Sequence, residues 1–215
     1  MSVIKSTAKL ALVALVLIAA AALTSRFWTA PVARTLVCPE TTAPSGAMLL
    51  ENFDANYLLF ERAAALEKAG SARIAYVPVE ASSDPRVPNP VSLGIAEVMA
   101  RQARLRAWRP IIISLREPIS LNAALQIRDR LTADGVRSVV VLTPGFRSRR
   151  SMLVYQAALA PAHITVQCLP VFGATTAASW TKTWHGIQHT VEELMKLGYY
   201  RLYVLPFVAP SATGR

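Results

Sequence analysis

Residues 110–142 read PIIISLREPISLNAALQIRDRLTADGVRSVVVL. Ile111, Ile112 and Ile113 follow one another with no polar residue between them, and so do Val139, Val140 and Val141. A strand with one wet face alternates apolar and polar. A strand that is apolar throughout is covered on both faces, as parallel strands are. Between the two runs, residues 120–133 carry apolar side chains at helical spacing and stop at Asp134-Gly135. Strand, helix and strand in this order make a βαβ unit with a right-handed crossover.

The same alternation continues outward in both directions. Strands are expected over residues 47–51, 73–79, 110–115, 137–142 and 163–169, and helices over 55–68, 91–106, 120–133, 148–159 and 178–197. The expected fold is a Rossmann-like, doubly wound α/β domain. Its mostly parallel sheet of about five strands has helices on both faces. No sequence repeats at a fixed period. In such folds the ligand sits at the carboxyl ends of the strands, so the residues just after each strand are the candidates.

Composition bounds the rest. The chain has 215 residues, of which 53% are hydrophobic and 17% charged, with a net charge of +10. That apolar fraction excludes a disordered chain. Two cysteines exclude a disulfide-framework fold and a four-cysteine zinc site. Of the three histidines, His185 and His189 stand at i and i+4, a spacing that can bind a metal. No third ligand accompanies them, so packing or surface placement is expected, and no metal or cofactor is predicted. A GxGxxG turn, a P-loop and a GxSxG elbow are all missing.

Residues 10–25, LALVALVLIAAAALTS, are uncharged and follow Lys5 and Lys9. At about 1.5 Å per residue the run covers roughly 24 Å, short of the hydrocarbon core. Including Arg26, Phe27 and Trp28 brings it to about 28 Å. Trp28 then falls at the interface and Arg26 reaches the headgroups. A cleaved signal peptide fits the same length. A small-x-small site past the run is missing, however, because Leu23 stands where Ser25 would need a small partner. An uncleaved anchor over residues 1–28 is therefore expected. Its amino terminus, Lys5 and Lys9 place the chain as a single-pass protein of a bacterial inner membrane with a periplasmic C-terminal domain. Residues 29–46, with Pro31, Pro39, Pro44 and Gly46, have linker composition. The α/β domain is expected over 47–205 and a tail over 206–215. Outside the cytoplasm Cys38 and Cys168 can pair, or can be two independent small hydrophobes.

Polar groups follow four of the strands. They are Glu51 and Asp54 after the first, Glu80 after the second, Glu117, Ser120 and Asn122 after the third, and Thr143, Gly145, Arg147 and Arg150 after the fourth. Asp54, Ser120 and Ser148 are also good helix N-caps. The pattern E-x-x-S-x-N at Glu117, Ser120 and Asn122, together with VVVLTPGFRSRRSMLVYQAAL (139–159) and EELMKLGYYRL (192–202), resembles the YdcF/SanA/ElyC-like family (domain of unknown function 218). The resemblance covers residues 47–202. It implies a Rossmann-like fold, often membrane-anchored, and a role in cell-envelope and surface-polysaccharide biogenesis. Thr143 and Arg150 fall on the family threonine and arginine. The chain departs from the pattern at Ala123, Leu125 and Gln126, and Arg147 stands in place of the family histidine. The glycine-rich turn after the first strand is replaced by Glu51-Asn52-Phe53-Asp54. Arginine stays protonated near neutral pH, so proton exchange at position 147 is lost and anion binding is what remains.

Residues 101–150 hold eleven arginines, no lysine and three acids, giving +8 of the chain's +10. Arg147 and Arg150, at the start of a helix beside Gly145, are expected to clamp an anionic group, helped by the helix N-terminus. Glu117 either pairs with Arg150 or serves as a weak candidate for a general base. The expected ligand is an anionic small molecule or a polyprenyl-phosphate-linked glycan, bound and in one variant acted upon. The alternatives are a non-catalytic scaffold module of a cell-wall or exopolysaccharide assembly, or a nucleotide-type or adenosyl-cofactor binder. An outward-facing domain meets little nucleic acid, so the positive charge is not read as a nucleic-acid surface. Residues 10–28 bring the lipid bilayer as a partner. The sequence specifies no oligomeric state.

Overall fold

The structure is a computed structural model. It describes residues 2–41 and 43–208, apart from the side chains of residues 2–11, 14, 17, 18, 21, 22, 25 and 26. Helix α1 (Ser2–Thr35) leads into β1 (Ala47–Leu50), α2 (Tyr57–Lys68), β2 (Ala75–Glu80), α3 (Pro90–Ala103), β3 (Trp108–Ile113), α4 (Ile119–Ala133), β4 (Ser138–Pro144), α5 (Ser148–Leu159), β5 (Thr165–Val171) and α6 (Trp184–Tyr199). All strand pairs are parallel, in the order β3-β2-β1-β4-β5. This is a Rossmann-like α/β sheet. Strand bounds agree with the sequence reading to within two residues. Helix α3 ends earlier than expected, because Arg104 adopts a left-handed backbone with φ of 61° and Leu105 N–H closes on Ala100 O.

Alternation along each strand divides the core. Ala47 and Leu49 of β1 and Val139 and Val141 of β4 face α4 and α5, through Ile127, Leu131, Val154 and Tyr155. Met48, Leu50, Val140 and Leu142 face α2 and α3, through Leu59, Phe60, Ala96 and Ala100. The unbroken apolar runs are therefore two interleaved half-cores. The next residues on the α4–α5 face of β1 and β4 are Glu51 and Thr143, both buried. Pleating thus carries two polar side chains inward at the carboxyl end of the sheet.

The segment 29–46 is not a free linker. It is helical through Thr35, and Ala33 and Leu36 are buried with Phe146 and Trp180. Cys38 and Cys168 form a disulfide with Cα atoms 6.4 Å apart. Thr41 N–H bonds Cys168 O at 3.1 Å. The prolines signalled a linker, but the apolar side chains between them decide the packing. Among the described residues no helix is long and apolar enough to cross a membrane. The side chains of Lys5 and Lys9, on which the expected orientation rests, lie outside the described ones, as does that of Arg26. The expected tail begins inside a π-helical continuation of α6, Tyr200–Val208, and residues 209–215 lie outside the described residues.

At the opposite end of the sheet, Tyr76 donates to Asp134 at 2.7 Å, and Arg130 meets the same carboxylate at 3.1 Å. Burial, then the bond to Asp134, pushes the Tyr76 phenol up to about 12. A phenol whose folded value lies above the unfolded value of about 10 adds stability that is complete below pH 10 and is lost as pH rises towards 12. Urea unfolding at pH 9 and pH 11.5 should show this loss in the native chain and a smaller one in Tyr76→Phe. Equal losses would remove Tyr76 as the cause.

Candidate functional site

The order β2-β1-β4 places the topological switch point between β1 and β4, where the strands to either side were laid down in opposite directions. At that point Glu51 accepts hydrogen bonds from Thr143 Oγ1 and, at 2.6 Å, from Ser151 Oγ. Tyr155 lies beside it, buried, and its hydroxyl has no hydrogen-bond partner among the described residues. Burial, then the Glu51 charge, drives the Tyr155 phenol well above its ordinary value. Glu51, Thr143 and Ser151 come from three elements and share one carboxylate oxygen. That arrangement satisfies a buried charge instead of exposing it.

The two arginines separate in role. Arg150 is 5% exposed and forms a forked pair with Glu193 of α6, with N–O distances of 3.0–3.2 Å. Its remaining arm donates to Ser120 Oγ at 2.8 Å, and its guanidinium lies 5.4 Å from the Tyr200 ring centre. Tyr200 in turn accepts from Ser120 N–H at 3.1 Å. Arg147 sits between interior and rim. Its Nε is 3.6 Å from Glu193 Oε1, and Nη2 donates to Asp54. Its side chain is 13% exposed and that of Asp54 is 77% exposed. Burial works against the Arg147 charge, but Glu51, Asp54 and Glu193 outweigh it and raise its pKa further. The Arg147 hydrogen bond holds the Asp54 carboxyl below its usual range. The network alternates acid and base as Glu51, Arg147, Glu193 and Arg150, with Asp54 as its solvent-facing end.

Several expectations are corrected by this geometry. Glu117 does not pair with Arg150; it is exposed, and its carboxylate accepts Ile119 N–H at 3.3 Å. The partner of Arg150 is Glu193, which the sequence reading missed. Asn122 is a loop brace, donating to the carbonyls of Arg116, Glu117 and Pro118 around the cis Glu117–Pro118 peptide. None of Asp54, Ser120 and Ser148 is a helix N-cap. Asn56 caps α2, and α4 and α5 begin after Pro118 and Arg147 without a side-chain cap. The N-terminus of α5 is not open to an anion either, since Arg149 N–H donates to Leu36 O at 2.9 Å and Ser148 Oγ accepts Cys38 N–H at 3.0 Å. Glu80 stands apart, in a cleft of about 230 Å³ with Asn52, Phe53, Ser92 and Ile95. His189 packs edge-on against Phe146, with ring centres 5.9 Å apart. Among the described residues no group of three His, Cys, Asp or Glu could hold a metal.

Gly145 is buried against protein. A Cβ there would fall 2.2 Å from the Phe172 ring, which is itself edge-packed on Phe146 at 5.7 Å. Gly145→Ala should therefore cost about 1–3 kcal/mol. Gly94→Ala, in the middle of α3 with open space around it, should be neutral or stabilising by up to about 1 kcal/mol. Thermal unfolding of the two variants side by side checks the difference in sign.

No protein-family model, no curated protein and no solved structure matches the chain. The class that fold and site define is a Rossmann-like α/β domain with a largely buried arginine–carboxylate network at its switch point.

Proposed function

We propose that the chain is a membrane-anchored, extracytoplasmic binding module whose rim recognises an anionic, phosphate-bearing envelope or polysaccharide-biosynthesis intermediate, and that it binds this ligand without transforming it. The Arg147–Asp54 pair carries the reading. It is the solvent-facing arginine pair of the network, and a ligand oxyanion can replace the exposed carboxylate on a guanidinium that Glu193 approaches from within at 3.6 Å. Arg150, sealed by Glu193 and Ser120, positions that network and does not touch ligand. The non-catalytic part rests on Arg147 at the position of the family histidine, and on Glu51, which is buried with one carboxylate oxygen committed to two hydroxyls. The Cys38–Cys168 disulfide supports an oxidising compartment and hence the outward orientation expected from Lys5 and Lys9. The bridge ties the exit of the anchor to β5, and the hydrogen bonds of Cys38 N–H to Ser148 and of Arg149 N–H to Leu36 O tie it to the start of α5, so the rim stands close to lipid-borne ligands. The resemblance to the YdcF/SanA/ElyC-like family supports the envelope setting.

Native mass spectrometry of the detergent-extracted chain tests the proposal. A phosphate-bearing lipid or glycan should accompany the native protein and be missing from Arg147→Gln. Recovery of the same molecule on both proteins, or of none on either, would reject it.

A second reading is favoured by one observation. Glu80 ends β2 with an exposed carboxylate, in a cleft where the buried amide oxygen of Asn52 has no partner among the described residues. An acid at the end of β2 suits the hydroxyls of a nucleoside. A nucleotide-type ligand would then lose affinity in Glu80→Gln and keep it in Arg147→Gln.

A further inference from the structure

Helix α6 carries two apolar faces where a surface helix ordinarily carries one. Its inner side is accounted for. Glu193 points to the arginines, Thr190 is buried, and Ile187, Leu194 and Leu197 pack against the cluster of Ala33, Leu36, Phe146 and Trp180. At 3.6 residues per turn, Trp184 stands about 180° around the helix from Glu193. There it opens a stripe at helical spacing: Trp184, Val191, Met195 and Tyr199, continued along the π-helical segment by Tyr203 and Phe207. All six side chains are exposed, Trp184 and Met195 to 71% and Phe207 to 77%. Tyr199, Tyr203 and Phe207 form a ladder with ring centres 5.6 and 6.2 Å apart. An apolar stripe this long on a folded domain marks a docking surface.

The occupant follows from what lies next to the stripe. The end of α1 is fixed to the same element. Trp180 Nε1 donates to Thr29 O at 2.9 Å just before α6 begins, and the buried side of α6 closes over Ala33 and Leu36. A chain that leaves the bilayer at Trp28 therefore meets α6 within a few residues. Exposed Lys182 and Arg201 flank the stripe, and aromatic rings dominate it. Aromatic rings with flanking cations are the composition of a helix that lies in the headgroup layer of an anionic membrane.

We propose that the outer face of α6 and Tyr200–Val208 lies on the bilayer surface beside the anchor. The inference rests on the anchored reading given above. In this placement α6 bridges membrane and site, with its apolar side in the headgroups and Glu193 holding both arginines from the other side.

The test uses the full chain in vesicles of phosphatidylethanolamine and phosphatidylglycerol, prepared with and without acyl-chain-brominated phosphatidylglycerol. The emission removed by Trp184→Phe isolates Trp184 from Trp28, Trp108 and Trp180. Bromine should roughly halve that component, as for a ring about 5–10 Å into the interface. If the chain floats with the vesicles but the Trp184 component is untouched by bromine, the docking proposal is overturned and the anchor stands. A chain that does not float overturns both. A Trp184 emission that shifts with protein-to-lipid ratio and ignores bromine assigns the face to a second copy of the chain instead, and equally overturns the proposal.

Discussion

Arg150→Met should lower the unfolding free energy of the detergent-extracted chain by about 3–5 kcal/mol. The arginine is 5% exposed and its partner Glu193 is 1% exposed. Removing the cation leaves a buried carboxylate that keeps, among the described residues, only the longer 3.6 Å approach of Arg147 and the 4.0 Å approach of Lys196. The cost is that of a stranded buried charge, which exceeds what the intact pair contributes. Replacing both partners, Arg150→Met with Glu193→Leu, should restore a large part of the loss, because no charge is then stranded on α6. Arg104→Ala, on the exposed end of α3, should stay within about 0.5 kcal/mol. Denaturant titrations of the three variants decide the matter. A loss below about 1 kcal/mol in Arg150→Met would return this arginine to the rim, where a ligand could reach it.

Loss of the disulfide should be the other large effect. The bridge joins residues 130 apart in sequence. In the chain-entropy account, closing a loop of that size removes about 4–5 kcal/mol of freedom from the unfolded chain, and measured values for native bridges run about 2–5. Cys38→Ser with Cys168→Ser should therefore lower stability by about 3–5 kcal/mol. The variant should also release the segment 36–41 from α5 and β5, exposing the amide of Arg149 to solvent exchange. Hydrogen exchange of the double variant measures this directly. If stability falls but the Arg149 amide stays protected, the segment is held by Ala33 and Leu36 and not by the bridge.

The fold was largely legible because its signal is local. Three isoleucines and three valines in unbroken runs specify strands covered on both faces, and Gly70 and Gly135, both at positive φ, end their helices where the sequence stops its period. The site was legible only in part, because its decisive pairings are long-range. Thr143, Arg147 and Arg150 were found from their place at or beyond the carboxyl end of β4, and Glu51 and Asp54 from theirs after β1. Nothing local to Arg150 names a partner forty-three residues on. The available signal was helical phase, since Glu193 shares the inward side of α6 with Thr190 and Leu197, a place where a solvated acid does not belong. The position of Glu117 three residues before Ser120 made it the natural partner by proximity. The cis Glu117–Pro118 loop turns its carboxylate back onto Ile119 N–H instead. The linker reading of 29–46 misjudged its prolines for a similar reason. Composition reports how stiff a segment is, whereas Ala33, Leu36 and Cys38 report what it packs against.

The central claim is that Asp54 occupies, on Arg147, the place of the ligand's oxyanion. Titration of the detergent-extracted chain with a short-chain polyprenyl phosphate at fixed salt tests it most directly, with Asp54→Asn and Arg147→Gln beside the native protein. A charge-assisted contact of about 1.5–3 kcal/mol corresponds to roughly 10- to 150-fold in affinity. Arg147→Gln should lose affinity in that range, and Asp54→Asn, relieved of its competing carboxylate, should bind several-fold more tightly than the native chain. Affinities unchanged in both variants, or weakened alike in both, would contradict the exchange at Arg147.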